Sequence, residues 1–205
     1  MSYSYLALGD SYSIGEGVAP AGRWPHQLAA DLRAAGIALA DPQIIATTGW
    51  TTDELDAGID IAAPQGPFDL VSLLIGVNNQ YRGRSVDEYR AQFALLLERA
   101  QAFSRHGSDG VLVLSIPDWG VTPFAHASGR DVMQIARELD AFNAAAAQVC
   151  AAQGVAFVDI TGISRQEGGE AAMLAEDGLH PSAAMYQRWS RQAEPVARRL
   201  LAAMH

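Results

Sequence analysis

Short runs of valine, isoleucine, leucine and alanine, bounded by turn residues, alternate along the chain with longer segments whose apolar positions recur at helical spacing. The short runs predict β-strands at residues 3–8, 43–46, 70–75, 111–116 and 155–160, the second being the weakest. Three of them lack polar alternation, as strands covered on both faces do. The longer segments predict helices at residues 25–35, 52–61, 86–105, 131–153 and 182–204. Their boundary signals include Thr51 or Thr52 before the second, Gly107 after the third and Pro181 opening the fifth. Strands alternating with helices predict βαβ units and a parallel sheet, and right-handed crossovers then give a three-layer α/β/α sandwich. No repeat, low-complexity tract or long linker interrupts the pattern, so residues 1–205 are read as one domain. Ligands of such sheets bind at the carboxyl ends of the strands, and the loops there are where chemistry is expected.

After the first strand comes Gly9-Asp10-Ser11, followed by Gly15 and Gly17. Glycines around a serine permit a tight turn that presents its hydroxyl as a nucleophile. A phosphate loop is disfavoured, because neither the dinucleotide fingerprint nor a Walker ending is present. Asp10 is read as an acceptor of loop amides rather than as a catalytic acid. Gly49 follows the second strand and Gly76-Val77-Asn78-Asn79 the third. The Gly49 amide and the Asn78 side-chain NH2 are both donors suited to an oxyanion hole, although each residue type is also common in plain turns. Near the end stands Asp177-Gly178-Leu179-His180. An imidazole, with an ordinary pKa of about 6.5, can take a serine proton if a carboxylate three residues away holds its other nitrogen.

The aromatic residues Trp119 and Phe124, in the loop after the fourth strand, together with Trp24 and Trp50, are either loop packing or a wall for the substrate. His26, His106, His126 and His205 show no metal-binding spacing, so no metal and no cofactor are expected.

Charge and composition narrow the partners. A net charge of -9 repels phosphate backbones, and nucleic acid is not expected as a partner. No apolar run approaches the roughly 20 residues that would insert in a membrane. The first ten residues carry neither a basic segment nor a long apolar one, and the single Cys150 cannot pair internally, so cytoplasm is the expected location.

These four blocks, Gly9-Asp10-Ser11, Gly49, Gly76-Val77-Asn78-Asn79 and Asp177 to His180, resemble in order and placement those of the SGNH hydrolases, also called the GDSL esterase and lipase family. The resemblance implies a flavodoxin-like five-stranded parallel sheet and cofactor-free hydrolysis of small carboxylic esters. It implies Ser11 as nucleophile, His180 as base and then acid, and Asp177 as the orienting carboxylate. The Ser11 and Gly49 amides and the Asn78 side chain would hold the oxyanion. Asn79 stands where the family usually has aspartate; it is read as a candidate substrate contact, and the change puts only the local loop network in doubt. A short-acyl esterase is the expected function. A carbohydrate acetylesterase, thioesterase or lysophospholipase of the same mechanism, and a non-catalytic binding module, stay open.

Overall fold

The apolar runs form one sheet. In the computed structural model, which describes residues 2–203, strands β1 (Tyr5–Gly9), β2 (Gln43–Ala46), β3 (Leu70–Leu74), β4 (Val111–Leu114) and β5 (Ala156–Val158) are all parallel, in the order β2-β1-β3-β4-β5. Every residue of β1 and β3 is buried, as their unbroken apolar character requires. Each large aliphatic side chain placed there stabilises the fold by about 1.5–3 kcal/mol.

The five predicted helices appear as α2 (Trp24–Ala34), α3 (Thr52–Ala62), α5 (Val86–Phe103), α7 (Val132–Gln153) and α9 (Ala183–Ala202). Helices α2 and α9 pack together on one face of the sheet, with α3, α5 and α7 on the other. Capping follows the sequence: the Glu54 carboxylate accepts the Thr51 N–H at 2.9 Å, and Ser85 accepts the Glu88 N–H at 3.1 Å. The third helix stops before Gly107, at Phe103. The last is capped by Ser182 rather than opened by Pro181, and its expected end, Met204, lies outside the described residues, as does His205.

Four short α-helices are additional among the described residues: α1 (Ser11–Ile14), α4 (Val77–Tyr81), α6 (Pro123–Ala127) and α8 (Thr161–Glu167). None is long enough to establish a 3.6-residue apolar period, so sequence pattern passes over them. All but α6 follow a strand within a few residues, and α6 comes on the long loop after β4, so they crowd the carboxyl edge of the sheet. The third, fourth and fifth strands end there earlier than predicted, at Leu74, Leu114 and Val158. Strand β5 stops at Val158 because the Asp159 carboxylate accepts the Thr161 N–H at 2.8 Å and turns the chain into α8. No helix among the described residues is long and apolar enough to cross a membrane.

Strand order reverses between β1 and β3, and the connections leaving these two strands diverge to opposite faces. That divergence opens a crevice at the carboxyl edge.

Candidate active site

Ser11 is the first residue of α1, immediately beyond β1, and is 4% exposed on the wall of a cavity of about 200 Å³. Asp10 caps that helix: its Oδ1 accepts the Tyr12 N–H at 3.0 Å, the loop-amide role expected of it. The carboxyl group is fully buried, and burial pushes its pKa up from an ordinary 3.8 to about 7 against the pull of the Tyr12 N–H. Between those pH values the folded chain binds the proton and the unfolded chain has released it. Stability on this account falls as pH rises from about 4 to about 7, and is level above. Asp10→Asn keeps the acceptor and removes the charge. Its stability is expected to exceed wild type above pH 7 by a difference on the order of 4 kcal/mol, closing toward pH 4. Thermal melts across that range measure it, and a gap that does not change with pH rejects it.

His180 faces the same cavity. Asp177 and His180 lie in the turn before α9, with Asp177 Oδ2 2.6 Å from His180 Nδ1. The other oxygen of Asp177 accepts the Leu179 and His180 amides, each at 2.9 Å. Burial raises the Asp177 pKa, but the bonds from the ring and the two amides outweigh it and hold the carboxyl below its ordinary range. An ionised carboxylate only accepts, so Nδ1 carries a proton toward Asp177, and in the neutral ring Nε2 is the nitrogen with the lone pair. The Tyr12 ring meets the imidazole edge-on with centroids 6.1 Å apart.

Gly49 and Asn78 bring donors to the cavity from the loops after β2 and β3. Gly49 has φ 89°, open to glycine at little cost, and its carbonyl accepts from Arg82 Nη2 at 2.7 Å. Among the described residues the Ser11 and Gly49 amides donate to no backbone acceptor. Asn78 Nδ2 donates one hydrogen to the Trp50 carbonyl at 2.9 Å, and its second hydrogen has no acceptor among the described residues. Gly76 starts this turn at φ 130°, where a Cβ would come within 2.6 Å of the Tyr89 ring.

Asn79 does not reach the cavity. It is fully buried; its Oδ1 accepts the Thr52 N–H at 3.1 Å and its Nδ2 donates to Thr52 Oγ1 at 2.7 Å, while that hydroxyl donates to Gln92. This accounts for an amide in place of the usual aspartate, because a carboxylate could accept from the Thr52 amide but could not donate to its hydroxyl.

The aromatic candidates divide. Trp119 and Phe124 line the cavity, and so do Tyr12, Val77, Tyr81 and Leu179, which sequence reasoning missed. Trp24 is instead a core residue with no exposed surface. Trp50 turns away from the cavity and lays its ring over Gly58 of α3, where a Cβ would collide with it at 2.1 Å. Arg130 closes the outside of the aromatic wall, its guanidinium carbon 4.1 Å from the Tyr81 ring centre. Cys150 is buried away from this edge, and burial pushes its thiol up to about 12.

The strand order and the gathering of a serine, a histidine–aspartate pair and amide donors at one edge define a class, the SGNH-type α/β hydrolases. Residues 7–188 match the GDSL-like lipase/acylhydrolase family, and the chain belongs to that family. Solved structures share its fold. The crystal structure of TesA superposes with a TM-score of 0.74 at 22% identity, covering 96% of this chain and 99% of that one. A lipase/acylhydrolase from Enterococcus faecalis gives 0.69 at 21%, covering 99% and 97%. An acetylxylan esterase from Geobacillus stearothermophilus gives 0.67 at 20%, covering 97% and 94%. No curated protein sequence matches the chain significantly.

Proposed function

We propose that the protein is a serine esterase for carboxylic esters with short acyl groups. The observation that carries this reading is the Asp177–His180 pair, 2.6 Å apart, on a cavity that also holds the Ser11 hydroxyl. In the proposed cycle Ser11 Oγ attacks the ester carbonyl carbon while His180 Nε2 takes the hydroxyl proton. The tetrahedral oxyanion is received by the Ser11 and Gly49 amides and the second hydrogen of Asn78. Collapse expels the alcohol, which leaves with the proton from His180, and an acyl-serine ester remains. Water, deprotonated by the same imidazole, then attacks that ester and releases the acid. Asp177 keeps the ring in the tautomer this requires.

Short acyl groups are favoured because the cavity is only about 200 Å³ and its apolar wall is built of large, packed side chains. The exposed edges of Tyr81 and Phe124 at its rim also suit a sugar ring, and this supports deacetylation of a carbohydrate as the second reading. A series of p-nitrophenyl esters tests the acyl preference: kcat/KM is expected to fall steeply beyond butyrate, and a maximum at long chains overturns it. A fluorophosphonate probe is expected to label Ser11, whereas a non-catalytic binding module would leave it unmodified.

A further inference from the structure

Behind the catalytic cavity lies a second, much smaller one of about 20 Å³. Trp119, Tyr12 and Leu179 line both, so these three side chains form the wall between them. Beyond that wall the second cavity is lined by Met173, Leu174, Met185 and Trp189, with Asp118, Thr122 and Ser164 also on its lining. Two of these are methionines, whose unbranched thioethers repack readily around an inserted chain.

Trp119 is fixed in the wall by polar contacts. Its indole N–H donates to Gln80 Oε1 at 2.9 Å, and Gln80 Nε2 donates to Glu138 Oε2 at 2.7 Å. Gln80 is 4% exposed and stands on α4, the short helix that also carries Asn78. The backbone on either side is tied as well. Asp118 accepts the Gly120 N–H and Arg165 Nε, each at 2.8 Å, and Thr122 Oγ1 donates to the Trp119 carbonyl at 2.7 Å. An indole held at its nitrogen and at its backbone cannot swing aside for a growing acyl chain.

We propose that Trp119, latched by Gln80, is a partition that closes off a latent medium-chain acyl site running from the catalytic cavity into the second cavity. Gln80 is then a positioning residue that sets the acyl-length limit without touching substrate. The inference rests on the esterase reading above for its catalytic readout, but not for its binding readout.

The test compares kcat/KM for p-nitrophenyl butyrate and octanoate in wild type, Trp119→Ala and Gln80→Leu, with thermal melts to confirm folding. Burying a methylene is worth about fourfold, so the octanoate-to-butyrate ratio is expected to rise about 10²-fold in Trp119→Ala and by a smaller factor in Gln80→Leu. Adding Met185→Phe, which fills the second cavity, is expected to cancel the rise. A ratio within about twofold of wild type in a folded variant overturns the proposal, and so does a rise that Met185→Phe leaves intact. If Trp119→Ala does not fold, Gln80→Leu decides by the same ratio. If wild type hydrolyses neither ester, the esterase reading falls and calorimetric titration with decanoate decides the partition. Binding confined to the partition variants supports it, and equal binding to wild type overturns it.

Discussion

Ser11→Ala is expected to lower kcat on p-nitrophenyl butyrate by about 10⁶-fold, the scale on which a serine nucleophile acts together with its base. His180→Ala is expected to fall to a similar floor, and the double variant no further, because in the proposed cycle the hydroxyl and the imidazole act as one unit. Non-additivity is the informative outcome. Two independent losses that multiply would mean that the two residues serve different steps. Retention of the wild-type rate by Ser11→Ala would reject the assignment outright. The melting temperature of Ser11→Ala is expected to stay close to wild type, since among the described residues no hydrogen bond from its hydroxyl supports the fold and the helix cap belongs to Asp10.

Asn78→Ala is the second large effect, expected to cost about 10² to 10³ in kcat with a much smaller change in KM, as for one oxyanion donor. The donor matters when negative charge has developed on the carbonyl oxygen, so its loss belongs to the transition state rather than to binding. The Asn78 amide also holds the Trp50 carbonyl, and a thermal melt separates loss of that contact from loss of catalysis. A variant that melts like wild type yet loses only KM would assign Asn78 to substrate binding and leave the oxyanion to the two backbone amides.

The residues that meet at the carboxyl edge were legible in the sequence to the extent that they sit at strand ends. Ser11, Gly49 and Asn78 each follow a strand within a few residues, and strand polarity alone places them on one side of the sheet. His180 and Asp177 were legible through their spacing before a helix. The wall was harder to read, because it depends on side-chain direction in helices too short to show a period. Asn78 and Asn79 are neighbours in α4, yet about 100° of helical rotation turns the second into the interior, where Thr52 binds it. Tyr81, three residues on from Asn78, returns to the cavity by the same geometry. Trp50 adjoins Gly49 in sequence, but the gap left by Gly58 on α3 draws its ring the other way. No local pattern around Trp50 announces that gap, and none around Trp24 separates a core indole from one at the rim.

Ser11 and His180 come from distant parts of the sequence, and α9, which follows His180 directly, packs on α2. In the proposed cycle, no partly folded chain in which α9 is still undocked from α2 can pair the Ser11 hydroxyl with its base. Hydrolysis of bystander esters then requires the folded state.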